Sequence, residues 1–177
     1  MGRYANAIAR CEDNNLKIIL KKLDSYSDYS LFCPATGVEY NNFRNLFDSI
    51  PNQVRAWYKL FNGGYLFDTM FLSTKYFEDH YRVRLGSFRI YNSSMARKFA
   101  ELPDDKAVFS VASFGDFYCF NTDGSPTITQ FSVTEHQCVA QWSNFSVWLN
   151  QEVNAALDLV DEEILQPFSI YYQKESL

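Results

Sequence analysis

Residues 51–64 restrict the possible folds of this chain more than any other stretch. Val54, Trp57, Tyr58 and Phe61 recur at i, i+3, i+4 and i+7, which is one apolar face of a helix. Pro51 stands where the first turn begins, and its missing N–H does no harm there. Gly63 and Gly64 follow the last apolar residue, where a left-handed residue can cap the helix. Residues 65–72 then read as one strand. The spacing predicts a helix over 51–62 that stops on a glycine pair and turns directly into a sheet.

The rest of the chain follows an α+β order. In the first fifty residues, Ile8, Leu16, Ile19, Leu20 and Leu23 suggest one or two short helices. Residues 25–30 read as loop, residues 34–37 as a turn, and Phe43, Leu46 and Phe47 as another short helical face. Ser73 or Thr74 is placed to cap a short helix, and residues 82–85 read as extended. Met95, Phe99 and Leu102 mark a helix after Asn92 and Ser93, ended by Pro103. Strands are expected over 107–114, 117–120, 127–133 and 137–142, and the short turns between them predict an antiparallel meander. Phe145, Trp148, Leu149, Val153, Ala156, Leu157, Val160 and Ile164 form a sustained helical stripe, capped by Ser143 or Asn144 and closed by Pro167. Helices packed against an antiparallel sheet are the expected architecture. At 177 residues the chain reads as one domain: an N-terminal extension over 1–50, a core over 51–163 and a tail over 164–177.

Several function classes find no support. No apolar run reaches the roughly 18 residues of a membrane span, and the N-terminus lacks the apolar core of a secretory signal. A cytoplasmic location is the default expectation. The four cysteines, Cys11, Cys33, Cys119 and Cys138, form no C-x-x-C pair and read as reduced thiols. The sequons at Asn92 and Asn144 then read as chance. The two histidines, His80 and His136, stand in different segments, and no nucleophile elbow flanks a serine. No phosphate loop, dinucleotide fingerprint or zinc spacing occurs, so no cofactor and no metal are expected. A pI near 5.0 disfavours direct nucleic-acid binding. Charge is unevenly placed: residues 1–100 carry 14 Lys+Arg against 9 Asp+Glu, residues 101–177 only 2 against 12. Asp104, Asp105, Asp116 and Asp123 fall in or beside the meander turns. Asp158, Asp161, Glu162 and Glu163 crowd the end of the last helix, where anions oppose the helix dipole. Plain solvation explains either group; so does an acidic partner-facing surface. Asp116 also allows two readings. It could orient a partner or cation, or it could bond its local backbone in a tight turn where Gly115 supplies positive φ.

Two marks combine. A helix ending in Phe61, Asn62, Gly63 and Gly64 is followed by Gly115, Asp116, Tyr118 and Phe120, then by Trp142 and the helix of Phe145, Trp148 and Leu149. This pattern resembles the SUKH superfamily, which includes fungal cell-wall-synthesis regulators and many bacterial immunity proteins. The resemblance spans residues 51–163. It implies an α+β fold with a twisted antiparallel sheet and no enzyme activity, and it carries over no catalytic residue. Its marks, Gly63, Gly64, Gly115, Asp116, Tyr118 and Trp148, read as fold-determining, as does Trp57 from its place on the apolar stripe. It also implies a cytoplasmic immunity protein that binds and neutralises a toxin; a nuclease toxin would carry a basic surface for its phosphate backbone. The other readings are a regulatory scaffold in envelope or signalling assemblies and, in a third class, a hydrolase.

Overall fold

The structure, a computed structural model, describes residues 2–75, 77–78, 84–162, 164 and 167. Helices α1 (Ala5–Arg10) and α2 (Asn14–Ser25) lead through a short 3-10 turn, Ser27–Tyr29, into β1 (Ser30–Pro34). Then come α3 (Gly37–Arg44), α4 (Asn52–Leu60), β2 (Phe61–Leu66), β3 (Thr69–Phe71), β4 (Phe77–Glu78) and β5 (Arg84–Leu85). The chain continues through α5 (Phe88–Tyr91), α6 (Ser94–Ala100), β6 (Lys106–Val111), β7 (Phe117–Asn121), β8 (Ile128–Ser132), β9 (Gln137–Trp142) and α7 (Phe145–Asp161). Seven strands form one sheet in the order β1-β2-β3-β6-β7-β8-β9, with every neighbouring pair antiparallel. Strands β6 to β9 are the expected meander. The strand β1, which pairs Leu31 with Tyr65 and Phe32 with Gly64, runs between the residues read as loop and those read as turn, overlapping each by one residue.

Helix α4 buries Val54, Trp57 and Tyr58 of the expected face, with Leu60 beside them, and Phe61, the fourth expected residue, is buried as the first residue of β2. Its exit differs from expectation. Phe61 already has extended backbone angles, so helix passes into strand with no glycine cap. Gly63 (φ +82°) and Gly64 (φ +149°) lie inside β2 instead. The reason is crowding. A Cβ on Gly64 would stand 2.3 Å from the Leu31 carbonyl oxygen, and one on Gly63 would stand 3.0 Å from the carbonyl oxygens of Phe71 and Leu72. The run 65–72 is likewise a hairpin rather than one strand. Phe67 (φ +55°) turns the chain, and its ring stacks on Tyr29 at 6.2 Å. No Asn-Gly or Asp-Gly marks that turn, so apolar alternation hid it.

Helices α4 and α7 lie on one face of the sheet. Trp57 of α4 and Trp148 of α7 are both fully buried, and both contact Phe71 of β3, at 5.7 and 5.6 Å. Tyr118 of β7 touches Trp148, whereas its neighbour Phe117 touches Tyr91 of α5. Adjacent strand residues point to opposite faces, so Tyr91 lies on the other side, while Phe88 of the same helix meets Tyr58 of α4 at 5.1 Å. Helix α6 departs from its expected orientation: Met95 and Phe99 are 81% and 76% exposed, and Ala100 and Leu102 are buried. The guanidinium of Arg97 explains the rotation, because it donates to the carbonyls of Pro103 and Lys106 and must face inward. Nor is there a helix at Ser73: its hydroxyl bonds Lys75 and its backbone bridges to Ser87. The side chain of Asn92 bonds both the N–H and the C=O of Val108, and that of Asn144 caps α7.

Glu39 is buried at the start of α3. It accepts from the Thr36 N–H at 2.8 Å and the Thr36 hydroxyl at 2.9 Å, closing a capping box, and it pairs with Lys75 at 2.6 Å. Burial alone would raise its pKa, but the Lys75 ammonium and the Thr36 donors outweigh burial and hold it below the usual glutamate value. A lowered folded pKa stabilises the fold above the ordinary value near 4.5, and that contribution disappears as pH falls through the folded value. We expect Glu39→Gln to cost about 1–2 kcal/mol at neutral pH. Urea titrations across the acid range should show parent and variant converging as pH drops. A gap that stays constant would show that Glu39 ionises no more readily in the fold than in the open chain.

Candidate partner-binding surface

The acidic residues singled out by sequence separate into two places. Asp104 and Asp105 precede β6, and Asp123 follows β7, at one end of that strand pair. The Thr122 N–H donates to the Asp105 carbonyl at 2.8 Å, which holds the two loops together. These carboxylates are already engaged. Asp105 pairs with Lys106 at 3.3 Å, Asp104 approaches Arg97 at 3.8 Å, and Asp123 accepts from the Ser125 N–H in its own turn. That last bond is the main reason the Asp123 carboxyl sits below its ordinary pKa.

Asp116 lies at the opposite end, in the turn between β6 and β7. Gly115 takes φ +96° there, as a tight turn requires. The Asp116 side chain does not bond its own turn. It accepts from Gln130 of β8 at 2.9 Å, across the sheet. Gln130 is the cross-strand partner of Tyr118, and the Tyr118 hydroxyl donates to Glu152 of α7 at 3.1 Å. Burial, chiefly, raises the Tyr118 pKa, and the charges of Glu152 and Asp116 add to it. Burial also raises the Glu152 carboxyl, with the charge of Asp68 adding and the Tyr118 hydroxyl opposing. Asp68 sits exposed in the turn between β2 and β3, beside a cleft that Glu152, Ala155 and Leu159 line from α7. Three carboxylates, Asp68, Asp116 and Glu152, thus gather where two hairpin turns meet α7. Among the described residues none of them forms an ion pair.

Asp158, Asp161 and Glu162 are exposed at the C-terminal end of the same helix and make no ion pair among the described residues. Glu163 lies outside the described residues. Sequence reasoning missed Asp68 because it lay within a run read as strand. It missed Glu152 because a carboxylate on a long amphipathic helix looks like solvated surface. One signal was available: Glu152 is one turn beyond Trp148, on the flank of the buried stripe.

Other chemistry finds little material here. His136 turns the chain between β8 and β9 with φ +54°, and its Nδ1 meets the Ala100 carbonyl oxygen. His80 lies outside the described residues. No group of three or more His, Cys, Asp or Glu among the described residues could hold a metal ion. Among the described residues no two cysteines are joined in a disulfide. No helix among the described residues is long and apolar enough to cross a membrane.

A family model described as SMI1 / KNR4 family (SUKH-1) matches residues 34–151. The chain belongs to this family. No match was found among curated proteins. The SUKH-1 segment begins at the end of β1 and stops within α7, so it contains Trp57, Gly63, Gly64, Gly115, Asp116, Tyr118 and Trp148. It starts earlier than the 51–163 read by resemblance. Glu152 and the acidic end of α7 lie beyond it, as do α1, α2 and most of β1. SUKH-1 membership is compatible with either an immunity or a regulatory role.

Proposed function

We propose that this SUKH-1 protein is a non-catalytic binder that neutralises a protein toxin carrying a basic surface, as an immunity protein does. The supporting observation is the contrast between the two ends of the sheet. Asp104 and Asp105 have cationic partners in their own chain. Asp68, Asp116 and Glu152, with Asp158, Asp161 and Glu162 beyond them on α7, have none among the described residues. Unpaired carboxylates on one rim attract Lys and Arg of a partner and form charge-assisted hydrogen bonds with them. They also steer association, at a rate that falls with salt.

The test is co-expression with the product of a neighbouring gene that is toxic alone. The parent chain should restore growth. Asp68→Lys, Asp158→Lys and Asp161→Lys together change exposed sites and should leave the fold intact. The triple variant should slow association roughly tenfold or more at low salt and flatten the salt dependence. Asp104→Lys, Asp105→Lys and Asp123→Lys together should slow it less. A larger effect from the second triple would move the contact to the other end of the sheet. If no neighbouring product is toxic, the regulatory-scaffold reading takes its place.

A further inference from the structure

The two edges of the seven-stranded sheet are treated differently. At β1 the edge is occupied: the Arg3 guanidinium donates to the Ser30 carbonyl at 2.8 Å, and the buried Tyr4 hydroxyl bonds the Ser30 side chain at 2.8 Å. Among the described residues nothing comparable occurs at β9, and no strand lies outside it. None of its six residues is buried. The strand has no charge and no proline, the usual devices that keep an open edge from pairing. It does have one irregularity, a shift in register opposite Gln130 and Phe131, which leaves Ala140, Gln141 and Trp142 as its regular portion.

We propose that β9 pairs with β9 of a second copy of this chain, antiparallel, about a two-fold axis at Gln141. Three observations select a second copy. First, the half of the chain that carries β9, residues 101–177, holds 12 Asp+Glu against 2 Lys+Arg, so two copies brought together through that half repel. The strand β9 is an uncharged stripe along which they can approach, and it continues across Ser143 and Asn144 to the 46% exposed Val147 of α7. Second, the register is self-complementary. An axis at Gln141 sets each Trp142 opposite the partner's Ala140, large against small, and sets the two Gln141 amides opposite one another. No like charges meet, whereas like charges directly opposite would destabilise the pairing. Third, Trp142 is fixed for this contact, because its indole N–H donates to Gln151 of α7 at 2.8 Å. The ring lies over the sheet face, 6.0 Å from Tyr118 of β7, rather than across the open edge. Such a contact is isologous and closes at two copies. It is separate from the carboxylate end of α7 and does not depend on the toxin reading.

Sedimentation velocity of the full chain should give twice the chain mass at micromolar concentration. Gln141→Lys sets two ammonium groups face to face on the axis. It should raise the dimer dissociation constant at least about tenfold, with the circular dichroism spectrum and melting temperature retained because the site is exposed. Gln141→Ala should stay dimeric. A second measurement does not depend on any loss. Directly opposed residues hold their Cβ atoms about 4.5–5.5 Å apart. Gln141→Cys, in a chain with Cys138→Ala, should therefore form a covalent dimer under mild oxidation, and the parent should not. A parent chain of single mass throughout, or a Gln141→Lys variant that remains dimeric, overturns the proposal.

Discussion

Replacing Trp148 by alanine is expected to lower the unfolding free energy by about 3–5 kcal/mol. The ring is fully buried and meets Phe109 edge-on at 4.9 Å, Tyr118 at 4.9 Å, Phe145 at 5.3 Å and Phe71 at 5.6 Å. It therefore joins α7 to three strands at once, and no single neighbour can move to fill the space it would leave. Domains of this size are stable by only about 5–15 kcal/mol, so the loss is a large share. Trp57 shares Phe71 and Phe145 with Trp148 as neighbours. Residues with common partners do not add independently, so the double variant should differ from the sum of the singles. Urea unfolding followed by far-ultraviolet dichroism measures both. A Trp148→Ala midpoint within error of the parent would mean that α7 does not seat on the sheet as described.

Gly64→Ala is the second large effect. The residue lies between Phe32 of β1 and Phe71 of β3, and its missing side chain lets the three backbones close up. A Cβ there would approach the Leu31 carbonyl oxygen at 2.3 Å and the Phe32 Cα at 2.7 Å, which are backbone atoms that no rotamer change can remove. Its φ of +149° adds a conformational cost. Roughly 1–3 kcal/mol for the strained backbone and roughly 1–3 for overpacking combine to about 2–6 kcal/mol. Gly115→Ala is the internal comparison. Its φ of +96° is also unfavourable to a side chain, but a Cβ there meets nothing within 4 Å. The Gly115 variant should lose only the backbone part. Equal losses at the two positions would show that crowding between β1 and β2 contributes nothing.

The family resemblance could be read from sequence because its marks are local. The i, i+3, i+4 stripe of α4 and the longer stripe of α7 report a buried face directly. The strands β6 to β9 stand out because short aromatic and β-branched runs alternate with turn residues such as Asn121, Asp123 and Gly124. The glycine pair was visible as a pair, but its purpose was not. A helix cap and a close backbone approach both require glycine, and only the neighbouring strands tell them apart. The same holds for the turn at Phe67 and for the exposed Met95 and Phe99. A contact outside the helix or strand itself, with Tyr29 in one case and with the Pro103 and Lys106 carbonyls through Arg97 in the other, overrode the local pattern.

Local patterning by itself determined the α+β class, the meander, the two tryptophan-bearing helices and the excess of negative charge in the second half. The tertiary structure decided where that charge goes. Sequence order placed Asp116 with Asp104, Asp105 and Asp123, as neighbouring turns of one meander. Successive turns of an antiparallel meander alternate between the two ends of the sheet, so Asp116 instead joins Asp68 and Glu152, residues far from it along the chain. The tertiary structure likewise decided which sheet edge is left open among the described residues. A strand's sequence states what it can pair with, but only the completed sheet shows which of its strands lacks a neighbour.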